Sequence, residues 1–100
     1  MTLIEKRFRF LSEVLQERGD AFIGIEVYDR SGTKLCFAEV HVLEITKEGI
    51  MICDFRKSND RKFLRENHGI EFPGILLLDL SKANPDGGFE IENCTVHITD

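Results

Sequence analysis

Apolar residues between positions 3 and 18 recur at helical spacing, so that Leu3, Ile4, Phe8, Leu11, Val14 and Leu15 form one stripe. Thr2-Leu3-Ile4-Glu5 has the form of a capping box. In that motif the threonine oxygen accepts a backbone N–H at the helix start and the glutamate reaches back. Gly19 is placed to end the helix in a left-handed conformation. The pattern predicts an amphipathic helix over residues 3–18, with Lys6, Arg9, Glu13, Gln16 and Glu17 toward water.

Beyond Gly19 the period becomes alternating. Over residues 22–28, Ile23, Ile25 and Val27 fall on one strand face and Phe22, Gly24, Glu26 and Tyr28 on the other. Asp29-Arg30-Ser31-Gly32 is a polar turn into a long segment from Lys34 to Thr46. There the apolar set is even through Ala38, Val40 and Val42, then odd at Leu43 and Ile45. A one-residue slip moves side chains to the opposite face, so this strand is predicted to bend or bulge. Lys47-Glu48-Gly49 turns the chain into residues 50–55, apolar on both faces. Residues 56–73 read as an inserted lobe, with a short helix capped by Ser58 or Asn59 and ended by His68-Gly69. Residues 75–78 form a buried strand and residues 83–88 a loop. Residues 89–98 form a last strand whose phase slips at Glu92-Asn93, with a kink expected there.

A few strongly bent strands close readily into a small barrel. The expected fold is mostly β with an N-terminal α-helix: a small, strongly bent antiparallel five-stranded Sm-like (SH3-like) barrel with an inserted short helix. It forms a single domain, with the helix in residues 1–19, three strands in 20–55, the lobe in 56–73 and C-terminal strands in 74–100. At 100 residues and 42% hydrophobic composition there is material for one core.

A net charge of −5 argues against a strongly electrostatic nucleic-acid binder. The cations are nevertheless clustered, at Lys6, Arg7 and Arg9 and again at Arg56, Lys57, Arg61, Lys62 and Arg65, which leaves room for a local basic face. Cys36, Cys53 and Cys94 are odd in number and set in apolar strands, as expected for free thiols in a reducing compartment. No run approaches the roughly 18 apolar residues that span a bilayer, and a charged helix stands where a leader peptide has an apolar core. A cytoplasmic protein without a membrane partner is expected. His41, His68 and His97 do not fit zinc spacings with the cysteines. No Gly-rich phosphate loop or nucleophile elbow occurs. No catalytic residue, metal or cofactor is therefore expected.

The order of elements resembles the Sm/LSm family, nearest in layout to its Hfq-like branch. Phe10-Leu11 with Val14 and Glu17-Arg18 is similar to the end of that family's helix, and Gly32-x-Lys34-Leu35 to the entry of its bent second strand. Ile50-Met51-Ile52 is similar to the third strand, and Ile91-Glu92-Asn93-Cys94-Thr95-Val96-His97-Ile98 to the closing motif. The resemblance implies a homo-oligomeric ring, closed by pairing at an edge such as Cys94–Ile98, that binds single-stranded RNA or DNA. Under it the loops Lys47-Glu48-Gly49 and Glu92-Asn93 lie near the pore. Lys47 and Asn93 are then the pore contacts, and Lys6, Arg7, Arg56, Lys57, Arg61 and Lys62 the phosphate contacts.

Two other readings stand beside it. One is a non-catalytic protein–protein assembly module on the same barrel, which the negative net charge and the Glu92-Asn93 pair favour. The other is a small-ligand, PilZ-like sensor barrel, for which Ile45-Thr46-Lys47-Glu48-Gly49-Ile50 is a distant match.

Overall fold

A computed structural model of the chain describes Met1–Thr99, and Asp100, the end of the expected C-terminal segment, lies outside the described residues. Helix α1 (Leu3–Arg18) begins on the expected capping box. The Glu5 N–H donates to Thr2 Oγ1 at 3.2 Å, and the Thr2 N–H donates to Glu5 Oε1 at 3.0 Å. These bonds satisfy two of the donors that a helix start leaves open. Gly19 closes the helix at φ +81°, its N–H donating to Leu15 O. The helix buries Phe8, with Ile4, Leu11, Val14 and Leu15 packed partly against the core. Leu3, in the predicted stripe, is instead 67% exposed.

The rest is a single antiparallel sheet and a second helix. The strands are β1 (Ala21–Tyr28), β2 (Lys34–Ile45), β3 (Ile50–Asp54), β4 (Ile75–Asp79), β5 (Phe89–Ile91) and β6 (Cys94–Thr99). They are arranged in the order β4-β3-β2-β1-β6-β5. Helix α2 (Asn59–His68) interrupts the path from β3 to β4. The sheet curls into a nearly closed barrel.

The long second strand bends where its apolar phase changes. It pairs with β1 through Val42 and with β3 from His41 onward, and the register jumps between Val42 and Glu44. Leu43 is the bulged residue, 43% exposed. A second irregularity, between the pairs Val27↔Cys36 and Tyr28↔Lys34, skips Leu35. Bulges add twist and bend, which lets one strand serve two directions of the barrel wall.

Two expectations are corrected here. The strands number six, because residues 89–98 form a hairpin and not one kinked strand. Glu92 and Asn93 take left-handed conformations, with φ 49° and 65°, and turn β5 back on β6. A two-residue loop with both φ values positive matches the twist of paired strands. Nor is Cys94–Ile98 a free edge: β6 pairs with β1 along most of its length and with β5 at Cys94–Val96. The open edges of the sheet are β4 and β5.

The core fills the barrel. Ile23, Ile25 and Val27 of β1 meet Ala38, Val40 and Val42 of β2, Met51 and Cys53 of β3, Leu76 and Leu78 of β4, and Val96 of β6. Phe8 of α1 stacks on Phe89 with ring centroids 6.1 Å apart. Helix α2 contributes Leu64, while Phe55 and Phe72, on the segments flanking that helix, pack ring against ring at 5.8 Å. The inserted lobe is thus docked on the barrel. Ser58 caps its helix and Gly69 ends it at φ +64°.

Candidate functional site

The eight cations and amides singled out from the sequence do not share one surface. Lys47 lies in the β2–β3 turn beside Arg9, Glu13 and Gln16 of α1. Asn93 lies at the β5–β6 turn, where its side-chain oxygen accepts from Arg30 of the β1–β2 turn. The register Ala21↔Val42 and Tyr28↔Thr95 puts these two turns beyond opposite ends of β1. The expected pairing of the two loops around one pore is therefore not made within the chain.

Most of the second basic cluster is occupied by its own lobe. Arg56 forks onto Asp54, Nε to Oδ1 at 3.1 Å and Nη2 to Oδ2 at 3.0 Å, and its N–H also donates to Oδ1 at 3.0 Å. These bonds hold the Asp54 carboxyl down at about 2. Arg61 Nε donates to Phe72 O at 2.9 Å, tying α2 to the segment before β4. Lys62 stands 4.0 Å from Glu66, one helical turn on. Lys57 is exposed on the loop before α2. A bidentate arginine already engaged by a carboxylate offers little to a phosphate.

Lys6 and Arg7 are placed differently. They line a groove of about 630 Å³ between one flank of α1 and the outward residues of β1, β2 and the end of β6. Its apolar walls are Leu3 and Phe10 from the helix and Phe22 and Phe37 from the sheet, and Glu39 and Thr99 complete the floor. The three phenylalanines are 63%, 57% and 54% exposed in chain order. Aromatic side chains bury large apolar areas in cores and interfaces, so three solvent-facing rings on a 100-residue protein demand a reason.

The local chemistry explains how the rings come together. Phe22, Gly24 and Glu26 all point outward from β1 and lie opposite His41, Glu39 and Phe37 of β2. Phe22 stacks on His41 with centroids 4.7 Å apart, which fixes its ring on one side. Phe37 leans diagonally over Gly24: a Cβ there would sit 2.9 Å from two of its ring atoms and 2.5 Å from Thr99 Oγ1. Thr99 Oγ1 has no hydrogen-bond partner among the described residues. By register Phe37 of β2 lies opposite Glu26, four residues along β1 from Phe22, and its ring reaches back over Gly24 between them. Arg7 docks the helix on the groove's far side by donating to Ile98 O.

Further along the same sheet face the polar groups neutralise one another. Lys34 Nζ lies 2.7 Å from Glu26 Oε2, and the Tyr28 hydroxyl donates to Glu26 Oε1 at 3.1 Å. The Lys34 bond pulls the Glu26 carboxyl below its ordinary range, and the Glu26 bond raises the Lys34 ammonium. Burial pushes the buried Cys53 thiol up to about 12 and the half-buried Cys36 thiol up to about 11. Among the described residues no three His, Cys, Asp or Glu side chains stand close enough to hold a metal ion. The groove offers stacking surfaces, the Lys6 ammonium and an open floor, with Arg7 engaged on the Ile98 carbonyl.

Lys6 and Arg7 were the candidates that the fold gathers into a site. Phe10, Phe22 and Phe37 were missed as site residues, although the alternation of β1 places Phe22 on the face opposite Ile23, Ile25 and Val27. The available signal was a large aromatic out of phase with its strand's apolar set, as Phe37 is beside Ala38, Val40 and Val42. Compared with known proteins, the chain matches no family model, no curated protein and no solved structure.

Proposed function

We propose that this protein binds single-stranded nucleic acid, RNA or DNA, in the groove between α1 and the outer sheet face. The observation that carries the reading is the row of exposed Phe10, Phe22 and Phe37 rings beside Lys6 and Arg7. Unpaired bases stack on aromatic side chains while cations track the backbone, and each stacked base is worth about 1–3 kcal/mol. Exposed rings carried by adjacent strands of an open sheet face are a platform on which splayed bases of a single strand stack. The Sm-like order of elements supports the same class of ligand, with the site on a different surface from the family's pore.

A second reading has its own support. The net charge of −5, and Glu39 on the groove floor, favour a protein ligand laid across an apolar cleft. Salt separates the two. With one phosphate contact, at Lys6, single-strand affinity falls with a slope of roughly −0.7 in log K against log salt.

The test is a fluorescence anisotropy titration with a labelled oligouridine and an oligothymidine at several salt concentrations. The expected result is salt-sensitive binding that Phe22→Ala and Lys6→Glu each weaken and Lys62→Glu leaves unchanged. No binding at low salt would overturn the reading, and binding indifferent to Phe22→Ala would remove the groove from it.

A further inference from the structure

Strand β4 ends one side of the sheet, and its bonding to β3 fixes which of its backbone groups look outward. The Phe55 N–H donates to Gly74 O at 2.8 Å, and the Leu80 N–H donates to Gly49 O at 2.9 Å. With the register Cys53↔Leu76 and Met51↔Leu78, the even-numbered residues face β3. Alternate residues of an antiparallel strand bond to the same neighbour. Ile75 and Leu77 therefore turn their N–H and C=O groups to the open edge, as does the N–H of Asp79, whose carbonyl starts the 3-10 turn Leu80–Lys82.

The opposite edge is poorer. The two-residue turn makes Ile91 and Cys94 a bonded pair, and Phe89 with Val96 the next. Only Glu90 of β5 is left with outward backbone groups. Side chains differ in the same sense. Leu77 is 58% exposed and lies beside its half-buried partner Ile52, so an apolar row runs up to the β4 edge. Natural edges are blunted by an internal charge, a proline or a bulge. Within β4 none occurs before Asp79, the last residue of the strand.

We infer that β4 pairs with β4 of a second copy of this chain, antiparallel, about a two-fold axis at Leu77. The edge is self-complementary in that register. Leu77 faces Leu77 of the second copy as a bonded pair, and Ile75 faces Asp79 on either side, so the outward N–H and C=O of Ile75 and Leu77 and the N–H of Asp79 gain partners. Like charges do not meet. The Asp79 carboxylate is already satisfied by the Ser81 N–H at 3.0 Å and hydroxyl at 2.7 Å. The two Leu77 side chains lie next to each other, joining the two apolar rows into one. A head-to-tail contact of β4 with β5 matches Glu90 alone and leaves most of β4 unpaired, so the self-pairing closes as a dimer and does not propagate.

The test is solution mass by light scattering together with residue-resolved amide exchange on the full chain. The expected mass is twice 11.5 kDa. On dilution toward monomer, exchange at the amides of Ile75, Leu77 and Asp79 speeds up by about tenfold or more, while Leu76 and Leu78 hold their protection. Leu77→Lys yields a monomer with an unchanged circular dichroism spectrum, since the side chain leaves no cavity. A monomer at all concentrations with fast exchange at those three amides overturns the inference. So does a mass of more than two subunits, or a dimer that survives Leu77→Lys. If that variant does not fold, the exchange pattern of the unaltered protein decides the matter alone.

Discussion

Gly24→Ala separates the groove's shape from the barrel's stability. Gly24 has no left-handed φ, so alanine is compatible with its backbone, and replacing a strand glycine gains roughly 0.5–1 kcal/mol of backbone entropy. The new Cβ would stand 2.5 Å from Thr99 Oγ1 and 2.9 Å from two Phe37 ring atoms, so both must move. The Phe37 side chain is 54% exposed and Thr99 Oγ1 forfeits no hydrogen bond. Each adjustment then costs about 0.5–1.5 kcal/mol in rotamer energy. Together the two adjustments outweigh the gain, and the net is a destabilisation of about 0–2.5 kcal/mol, a melting shift of up to roughly 20 °C. Binding behaves otherwise, because displacing Phe37 removes a stacking position worth about 1–3 kcal/mol. That is a loss of about 5- to 150-fold in Kd. Paired thermal melts and oligonucleotide titrations read both quantities. Destabilisation well beyond about 2.5 kcal/mol would show that the Phe37 ring is locked. Unchanged affinity with a displaced Phe37 resonance would show that the ring is not a contact.

Leu64→Ala removes the buried anchor of α2 and should cost about 2–5 kcal/mol in urea unfolding; a loss below about 1 kcal/mol would mean that the lobe does not rest on this contact. Cys53 is raised to about 12 by burial from an ordinary 9.0, so above pH 9 the unfolded chain releases a proton that the folded chain keeps. Stability should therefore fall as pH rises from about 9 toward 12, and Cys53→Ala should flatten that decline in alkaline urea titrations. Asp54 is depressed from 3.8 to about 2 by Arg56, so its contribution is present above about pH 4 and disappears as pH falls to about 2. The difference in urea midpoint between the unaltered protein and Asp54→Asn should shrink over that window, and a constant difference would exclude the Asp54–Arg56 contact as its source.

Much of the fold was legible because its signals are local. The Thr2–Glu5 box, the stripe on α1, the αL glycine at 19 and the alternation in β1 each need only a few neighbouring residues. The bulge at Leu43 was legible for the same reason: a phase change in one strand has one geometric remedy. The hairpin at Glu92-Asn93 was read as a kink because its turn carries no glycine, and two non-glycine residues at positive φ are an uncommon solution. The groove was legible only in fragments, as the Lys6 and Arg7 charges and the out-of-phase Phe37. Phe10, Phe22 and Phe37 are brought together by the β1–β2 register and by the docking of α1, which are long-range choices. Sequence proximity shows the charges of Arg56 and Arg61 but not that Asp54 and the Phe72 carbonyl engage them.

The central claim is that the aromatic groove holds single-stranded nucleic acid. The most direct test is an NMR titration of isotope-labelled protein with a short oligouridine at low and high salt. The expected shifts are concentrated at Lys6, Phe10, Phe22, Gly24 and Phe37 and are reversed by added salt. Shifts centred instead on Lys57 and Lys62, or none at any concentration of oligonucleotide, would contradict the claim.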